Sequence, residues 1–302
     1  MASLALCMGV AAAAAPVPAG AQVMLGAYAK GGSQAFTDLE TQMGRKLAID
    51  FHYVGLGQTQ LNAEAADIAN GQMPLIAMTV TARKAKTCFT ASDIAGGLYD
   101  VQLTAQAAAV AALGATVMIS FVSEMTDQKS SSDCFYGAGW DQNATTITNA
   151  GAAYVAAQQH VVQMFRNAGA TNAQFAFVPE GSAYSTFVNN VAEWKLFYPG
   201  SATVDALGMD HHYAGRAQED FAADETVLAL YNACVDLGKP CVLAETGASP
   251  STDYIVTAQN TIPVLFPKMT AFVWDDGDFK LQGTGLSAFT TMGQDSHFQQ
   301  MP

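Results

Sequence analysis

Two glutamates in this chain each close a short apolar run. Glu124 ends Ile119-Ser-Phe-Val-Ser-Glu124, and Glu245 ends Val242-Leu-Ala-Glu245. A carboxyl group in that position sits at the end of a rigid element and still reaches solvent, which suits acid–base and nucleophilic work. One carboxylate attacks while the other, kept protonated by like-charge proximity and partial burial, donates its proton. Two carboxyls about 5–5.5 Å apart carry out double displacement at a sugar's anomeric carbon. Further polar and aromatic residues close the other apolar runs. These are Asp50, His52 and Tyr53, then Glu180, then Asp210, His211, His212 and Tyr213, and finally Trp274, Asp275 and Asp276. Basic residues are almost absent from this set, whereas phosphate-bearing ligands call for Arg or Lys. Trp274 is a candidate sugar platform, with Trp140 and Tyr136 as an outer subsite. Asp210, His212, Tyr213 and His52 are candidate substrate contacts. Glu180 reads as closing its strand and Trp194 as packing. His211-His212 invites a metal reading, but no third ligand at strand-end spacing supports it, so neither metal nor cofactor is expected.

The elements that must position these residues repeat along the chain. Short β-branched runs alternate with longer helical stretches, the pattern of βα units and a parallel sheet. Eight strands are expected at 23–29, 47–54, 73–80, 116–124, 174–180, 204–213, 241–247 and 270–275. Helices are expected at 97–113, 148–168, 220–237 and 251–265, and from 286 onward. Gly238 is the C-cap of the third of these and Pro240 its stop. This count matches a single α/β domain folded as a (β/α)8 TIM barrel. No Gly-x-Gly-x-x-Gly or Walker-type loop follows the first strand, so a nucleotide-binding sheet is disfavoured. Active sites in such barrels lie at the C-terminal ends of the strands. Strands four and seven stand on opposite sides of the mouth, so Glu124 and Glu245 are expected to converge across it.

Composition narrows the partner. The 302 residues are 50% hydrophobic and 13% charged, and 13 Lys+Arg against 26 Asp+Glu leave a net charge of −13. Nucleic acid and anionic membrane surfaces both require basic residues, so both are disfavoured. Low charge with high hydrophobicity also excludes a disordered chain. A monomer acting on a neutral partner is expected. Residues 1–21 read as an export signal, with an apolar alanine-rich run, Pro16 and Pro18, and Ala19-Gly20-Ala21 as the cleavage site before Gln22. The run is too short for a transmembrane span. Residues 22–302 then form the barrel domain of a secreted or periplasmic protein. Four cysteines remain after cleavage, and three connectivities are possible. The short segment between Cys234 and Cys241 suits a clip from a helix end to the next strand. That pairing leaves Cys88 with Cys134.

Several segments together resemble glycoside hydrolase family 26, a branch of the retaining-glycosidase barrels that includes endo-β-mannanases and some β-1,3-1,4-glucanases. They are Leu25-Gly-Ala-Tyr28, Ile68-Ala-Asn-Gly71 through Pro74-Leu-Ile76, and Phe165-Arg-Asn-Ala-Gly-Ala170 with Asn172. Tyr198-Pro-Gly200 with Val204-Asp205 and Gly208-Met-Asp210 is the most specific, and Gly238-Lys-Pro240 leads into Ala244-Glu-Thr-Gly247. The resemblance implies a retaining endo-β-glycosidase with Glu245 as nucleophile and Glu124 as general acid/base. It implies a neutral polysaccharide substrate, with a β-mannan the leading choice. The departures are local. Where the mannanases carry His before the acid/base this chain has Ser123, and where they carry Arg four residues before it this chain has Ser120. The family tyrosine two residues after the strand-six aspartate is replaced by His212, with Tyr213 one position further on, and the resemblance implies that one of these two hydrogen-bonds Glu245. These changes fall on the substrate-contacting shell and leave two other readings. One is a hydrolase of mixed-linkage β-glucan or an exopolysaccharide on the same fold. The other is a sugar-binding barrel that no longer hydrolyses.

Overall fold

The computed structural model describes residues 22–82, 87–126, 135–136, 143–214, 221–299 and 301–302. The expected leader at 1–21, Trp140, and the Cys88–Cys134 pairing all fall outside the described residues or side chains.

Strands and helices alternate in chain order as β1 (Met24–Tyr28), α1 (Ser33–Met43), β2 (Ile49–Gly55), α2 (Asn62–Ala69), β3 (Met73–Thr79), α3 (Asp100–Ala112), β4 (Val117–Phe121) and α4 (Ala144–Asn167). The second half continues as β5 (Ala173–Phe177), α5 (Glu193–Phe197), β6 (Ala206–Ala214), α6 (Glu225–Leu237), β7 (Cys241–Ser249), α7 (Thr252–Leu265), β8 (Met269–Asp275) and α8 (Gly283–Gln294). Each strand pairs in parallel with the next and β8 closes on β1. The expected (β/α)8 barrel is therefore present, with all eight strands at their expected places.

Alternation along the strands builds two cores. Ile49, Phe51, Leu75, Ala77, Met118, Val178, Val242 and Val273 fill the barrel interior. Residues of the other parity, among them Leu25, Ile76, Ile119, Phe177, Leu243 and Phe272, pack beneath the helices. Gly26 lets β1 and β2 approach closely, because a Cβ there would stand 2.6 Å from that of Ile49.

Helix ends follow local chemistry. The Asn143 side chain accepts from the amides of Thr145 and Thr146, so α4 begins four residues earlier than its apolar spacing suggests. Asp224 caps α6 in the same way, five residues later than the expected start. Gly238 ends α6 in the left-handed region at φ 66°, as expected of a C-cap. Just beyond it Cys234 and Cys241 are joined in a disulfide with their Cα atoms 5.7 Å apart, clipping α6 to β7. Two helices carry no clear apolar stripe. In α1 the inward positions are Phe36, Leu39, Glu40 and Met43, and the glutamate interrupts the pattern. Glu40 is buried because it accepts from the Leu47 amide at 2.7 Å and from Gln72 Nε2 at 2.8 Å. In α2 the buried residues are Glu64 and Asp67.

Candidate active site

Inward parity alone carries Tyr28, Tyr53, Asp210, His212 and Asp275 to the C-terminal mouth of the barrel, directly above the interior core. The two glutamates arrive there through backbone irregularities. Between β6 and β7, Met209 pairs with Leu243 but Asp210 pairs with Glu245, so β7 holds one extra residue. The same bulge shows against β8, where Leu243 faces Phe272 and Thr246 faces Trp274. Val242 and Ala244 already point into the barrel, and the bulge turns Glu245 inward as well. At the end of β4, Val122 and Glu124 have φ values of 50° and 56°. That left-handed backbone is uncommon for any residue but glycine and a clear outlier for valine. Neighbouring strands hold it in place, with the Val122 amide on the Met78 carbonyl at 3.0 Å and the Glu124 amide on that of Val178 at 2.9 Å.

Glu245 is buried and receives the Tyr53 hydroxyl, which lies 3.0 and 3.3 Å from its two oxygens. Tyr53 leaves half its surface exposed while its hydroxyl reaches across from β2. Burial, then the charge of Asp275, pushes the Glu245 carboxyl up to about 8, and the hydrogen bonds from Tyr53 and Asp210 oppose the rise. Asp210 is raised well above the usual carboxylate range, first by burial and then by the charges of Glu245 and Glu124, and its side chain hydrogen-bonds Glu245. Asp275 is raised by burial, against the pull of the Gly277 and Asp278 amides, which its Oδ1 accepts at 2.8 and 3.2 Å.

His212 stands among these carboxyls. Its Nδ1 is 3.2 Å from Asp210 Oδ1 and its Nε2 3.6 Å from Asp275 Oδ2. The ring lies on that of Phe279, with centroids 4.9 Å apart and planes 13° from parallel. Burial pushes the imidazole down, toward its neutral form. Glu124, Asp210 and His212 each offer an atom within 4.8 Å of the other two, as do His212, Glu245 and Asp275. Both candidate catalytic carboxyls therefore flank one imidazole. These two sets are spaced to hold a cation, as is a third formed by Asp50, His52 and Asp67. The strand-six histidine thus does have carboxylate neighbours from other strand ends, contrary to the expectation from spacing.

Several candidates change role. Trp274 is fully buried, donates through Nε1 to the Phe279 carbonyl at 2.8 Å and packs on Phe272, so it is core and offers sugar no face. Its parity on β8 matches Phe272, whose side chain lies under the helices. Tyr213 also faces the helices, against His211 and Tyr254. The hydroxyl on Glu245 comes instead from Tyr53. His52 turns toward α2, with Nε2 2.6 Å from Asp67 Oδ2, and does not join the ring of carboxyls at the mouth. His211 and His212 point to opposite faces of β6, His211 pairing with Asp224 at 3.2 Å. The Tyr136 hydroxyl donates to the Met125 carbonyl and its ring packs on Phe135, which removes it from an outer subsite. Glu180 caps a short 3-10 turn through the Ser182 amide, and Trp194 packs between Tyr184 and Tyr198. The residue missed as a contact to Glu245, Tyr53, was visible in one respect: it shares the parity of Ile49 and Phe51.

The two departures on β4 touch each other. Ser120 Oγ and Ser123 Oγ are 2.7 Å apart, a small neutral pair just before Glu124 in the chain.

The fold is that of known glycoside hydrolase family 26 structures. A GH26 β-mannanase from Bacteroides ovatus superposes with a TM-score of 0.61 at 16% identity, covering 92% of this chain and 90% of that one. The GH26 domain of an endo-β-mannanase/endo-β-glucanase from Prevotella bryantii gives 0.64 at 16%, covering 92% and 90%. The catalytic domain of a GH26 endo-β-1,4-mannanase from Bacillus sp. JAMB-750 gives 0.66 at 15%, covering 93% and 88%. In sequence, Endoglucanase H of Acetivibrio thermocellus is 26% identical over 190 residues, which is 60% of this chain and 20% of that protein. The chain thus spans about a fifth of that relative's length. No protein-family model matches the chain. The resemblance read from the sequence is therefore met again in the fold.

Proposed function

We propose that this chain is a retaining endo-β-glycosidase of the family 26 type, acting on a neutral polysaccharide with Glu245 as nucleophile and Glu124 as general acid/base. The observation that carries this reading is that Glu124 and Glu245, from opposite sides of the barrel, flank the same His212 ring. In the first step a Glu245 oxygen attacks the anomeric carbon, the glycosidic C–O bond breaks, and Glu124 gives its proton to the departing oxygen. In the second, Glu124 takes a proton from water as that water's oxygen displaces Glu245 from the same carbon. The Tyr53 hydroxyl and the Asp210 side chain hold Glu245 in line and support its ionised form. Edge-to-face contacts among Tyr28, Phe51 and Tyr53 put an aromatic wall at the mouth, suited to the apolar face of a sugar ring.

β-Mannan is the leading substrate, on the strength of the structural neighbours named above. Mixed-linkage β-glucan is the second, favoured by the neutral Ser120–Ser123 pair where the mannanases carry Arg and His. The Cys234–Cys241 disulfide supports an exported protein. A reducing-sugar assay on galactomannan, glucomannan, barley glucan, xylan and laminarin, run beside Glu245→Ala, tests the proposal. Release from one glycan that disappears in the variant supports it. A folded protein silent on all five overturns hydrolysis of these polymers and favours the sugar-binding barrel.

A further inference from the structure

On the helix side of β2, beside the mouth, Asp50, His52 and Asp67 form a second cluster. Each offers an atom within 4.8 Å of the other two. His52 Nε2 lies 2.6 Å from Asp67 Oδ2 and 3.5 Å from Asp50 Oδ2. Asp50 is 3% exposed, and its Oδ2 has no hydrogen-bond partner among the described residues. Leaving a buried carboxyl oxygen without a donor is costly, and the His52 imidazole, at 3.5 Å, leaves room for a closer counter-group. The cluster opens on a cavity of about 370 Å³ whose lining includes Asp50, His52 and Glu64 and also Tyr28, Phe51 and Tyr53 of the aromatic wall. Glu64 stands one turn before Asp67 on α2, on the same helix face.

We propose that Asp50, His52 and Asp67 bind one divalent transition-metal cation, with Glu64 and the cavity at its open side. The donor set is one imidazole and two carboxylates, a combination that suits Zn²⁺ or Mn²⁺ better than Mg²⁺ or Ca²⁺, which favour all-oxygen shells. Ligand atoms about 2.0–2.2 Å from an ion stand roughly 3.3–3.5 Å from one another in a tetrahedral shell. The Asp50–His52 spacing of 3.5 Å already meets that, while His52 Nε2 and Asp67 Oδ2, 2.6 Å apart, must separate to admit an ion. The cavity gives the ion an entry path and room for a further ligand. At the mouth, Glu245 takes hydrogen bonds from Tyr53 and Asp210 and Asp275 takes two backbone amides, while Asp210 Oδ1 and His212 Nε2, like Asp50 Oδ2, have no hydrogen-bond partner among the described residues. A bound ion would tie β2 to α2 directly behind Tyr53, the residue that reaches Glu245.

The test is calorimetric titration of the chelator-stripped full chain with ZnCl₂ and with MnCl₂. It is repeated on Asp50→Asn, His52→Gln and the mouth variant His212→Gln, each shown to be folded by circular dichroism. One equivalent of either ion is expected, with affinity at least about tenfold weaker in Asp50→Asn and His52→Gln and unchanged in His212→Gln. Should His52→Gln fail to fold, Asp50→Asn, which keeps volume and shape, decides alone. Binding that survives Asp50→Asn, or that is lost only in His212→Gln, overturns the assignment. So does absence of binding to the folded wild type, which would leave His52–Asp67 as a plain ion pair. None of these readouts depends on glycan hydrolysis.

Discussion

Asp210 on β6 pairs with Glu245 on β7, although one step earlier Met209 pairs with Leu243. The extra residue in β7 gives Ala244 and Glu245 the same inward side, and so brings two acids into contact at the mouth. Burial, followed by the charges of Glu245 and Glu124, pushes the Asp210 carboxyl well above the usual carboxylate range. This relationship shapes the expected behaviour of the protein.

Removing the Tyr53 hydroxyl tests the donor on the other side of Glu245. In Tyr53→Phe the ring contacts with Tyr28 and Phe51 remain, while the hydrogen bond is lost. A hydrogen bond to a charged group contributes about 1.5–3 kcal/mol, so kcat should fall roughly 10–100-fold with little change in Tm. Because that bond lowers the Glu245 pKa, the acid limb of kcat/KM should move to higher pH. A pH–rate series on both proteins measures this, and an unmoved limb would show that Tyr53 does not act on Glu245.

Stability should decline toward alkaline pH. Burial holds Glu245 up to about 8, and burial followed by the charge of Glu180 holds Glu193 up to about 7. Between the ordinary glutamate value and these, the folded protein keeps protons that the unfolded chain has released, so rising pH favours unfolding. Thermal melts should give a Tm several degrees higher at about pH 5 than at about pH 8.5. Activity needs an ionised Glu245 and should run the other way across the same window.

Trp274→Phe separates core from platform. The residue is fully buried and loses both volume and the bond to the Phe279 carbonyl. A cost of about 1–3 kcal/mol is expected, visible in a denaturant melt, with KM for the glycan unchanged. A raised KM at constant stability would return Trp274 to the substrate site.

The barrel was legible because β-branched runs and turn signals repeat eight times, and the glutamates because each ends such a run. What escaped was local. Parity along β8 places Trp274 with Phe272 and parity along β6 places Tyr213 with Met209, so both could have been assigned to the helix side. The bulge at Ala244–Glu245 has no composition signal, and strict alternation would have put Glu245 with Leu243 under the helices. The left-handed turn at Val122 and Glu124 is equally silent, since valine is the residue least expected there. The helix α1 was hidden by Glu40, a buried acid whose partners, Leu47 and Gln72, come from other elements. Such features depend on contacts between strands, which a single run of residues does not encode.

The most direct test of the two-glutamate mechanism is the configuration of the first-formed product. Proton NMR on a glycan that the wild type cleaves should show the β-anomer at the reducing end appearing first, with the α-anomer following only by mutarotation. On an aryl β-glycoside of the same sugar, whose leaving group departs without a proton, Glu124→Gln should accumulate a glycosyl ester on the peptide containing Glu245, detected by mass spectrometry. An α-anomer formed first, with no adduct on Glu245, would contradict the account.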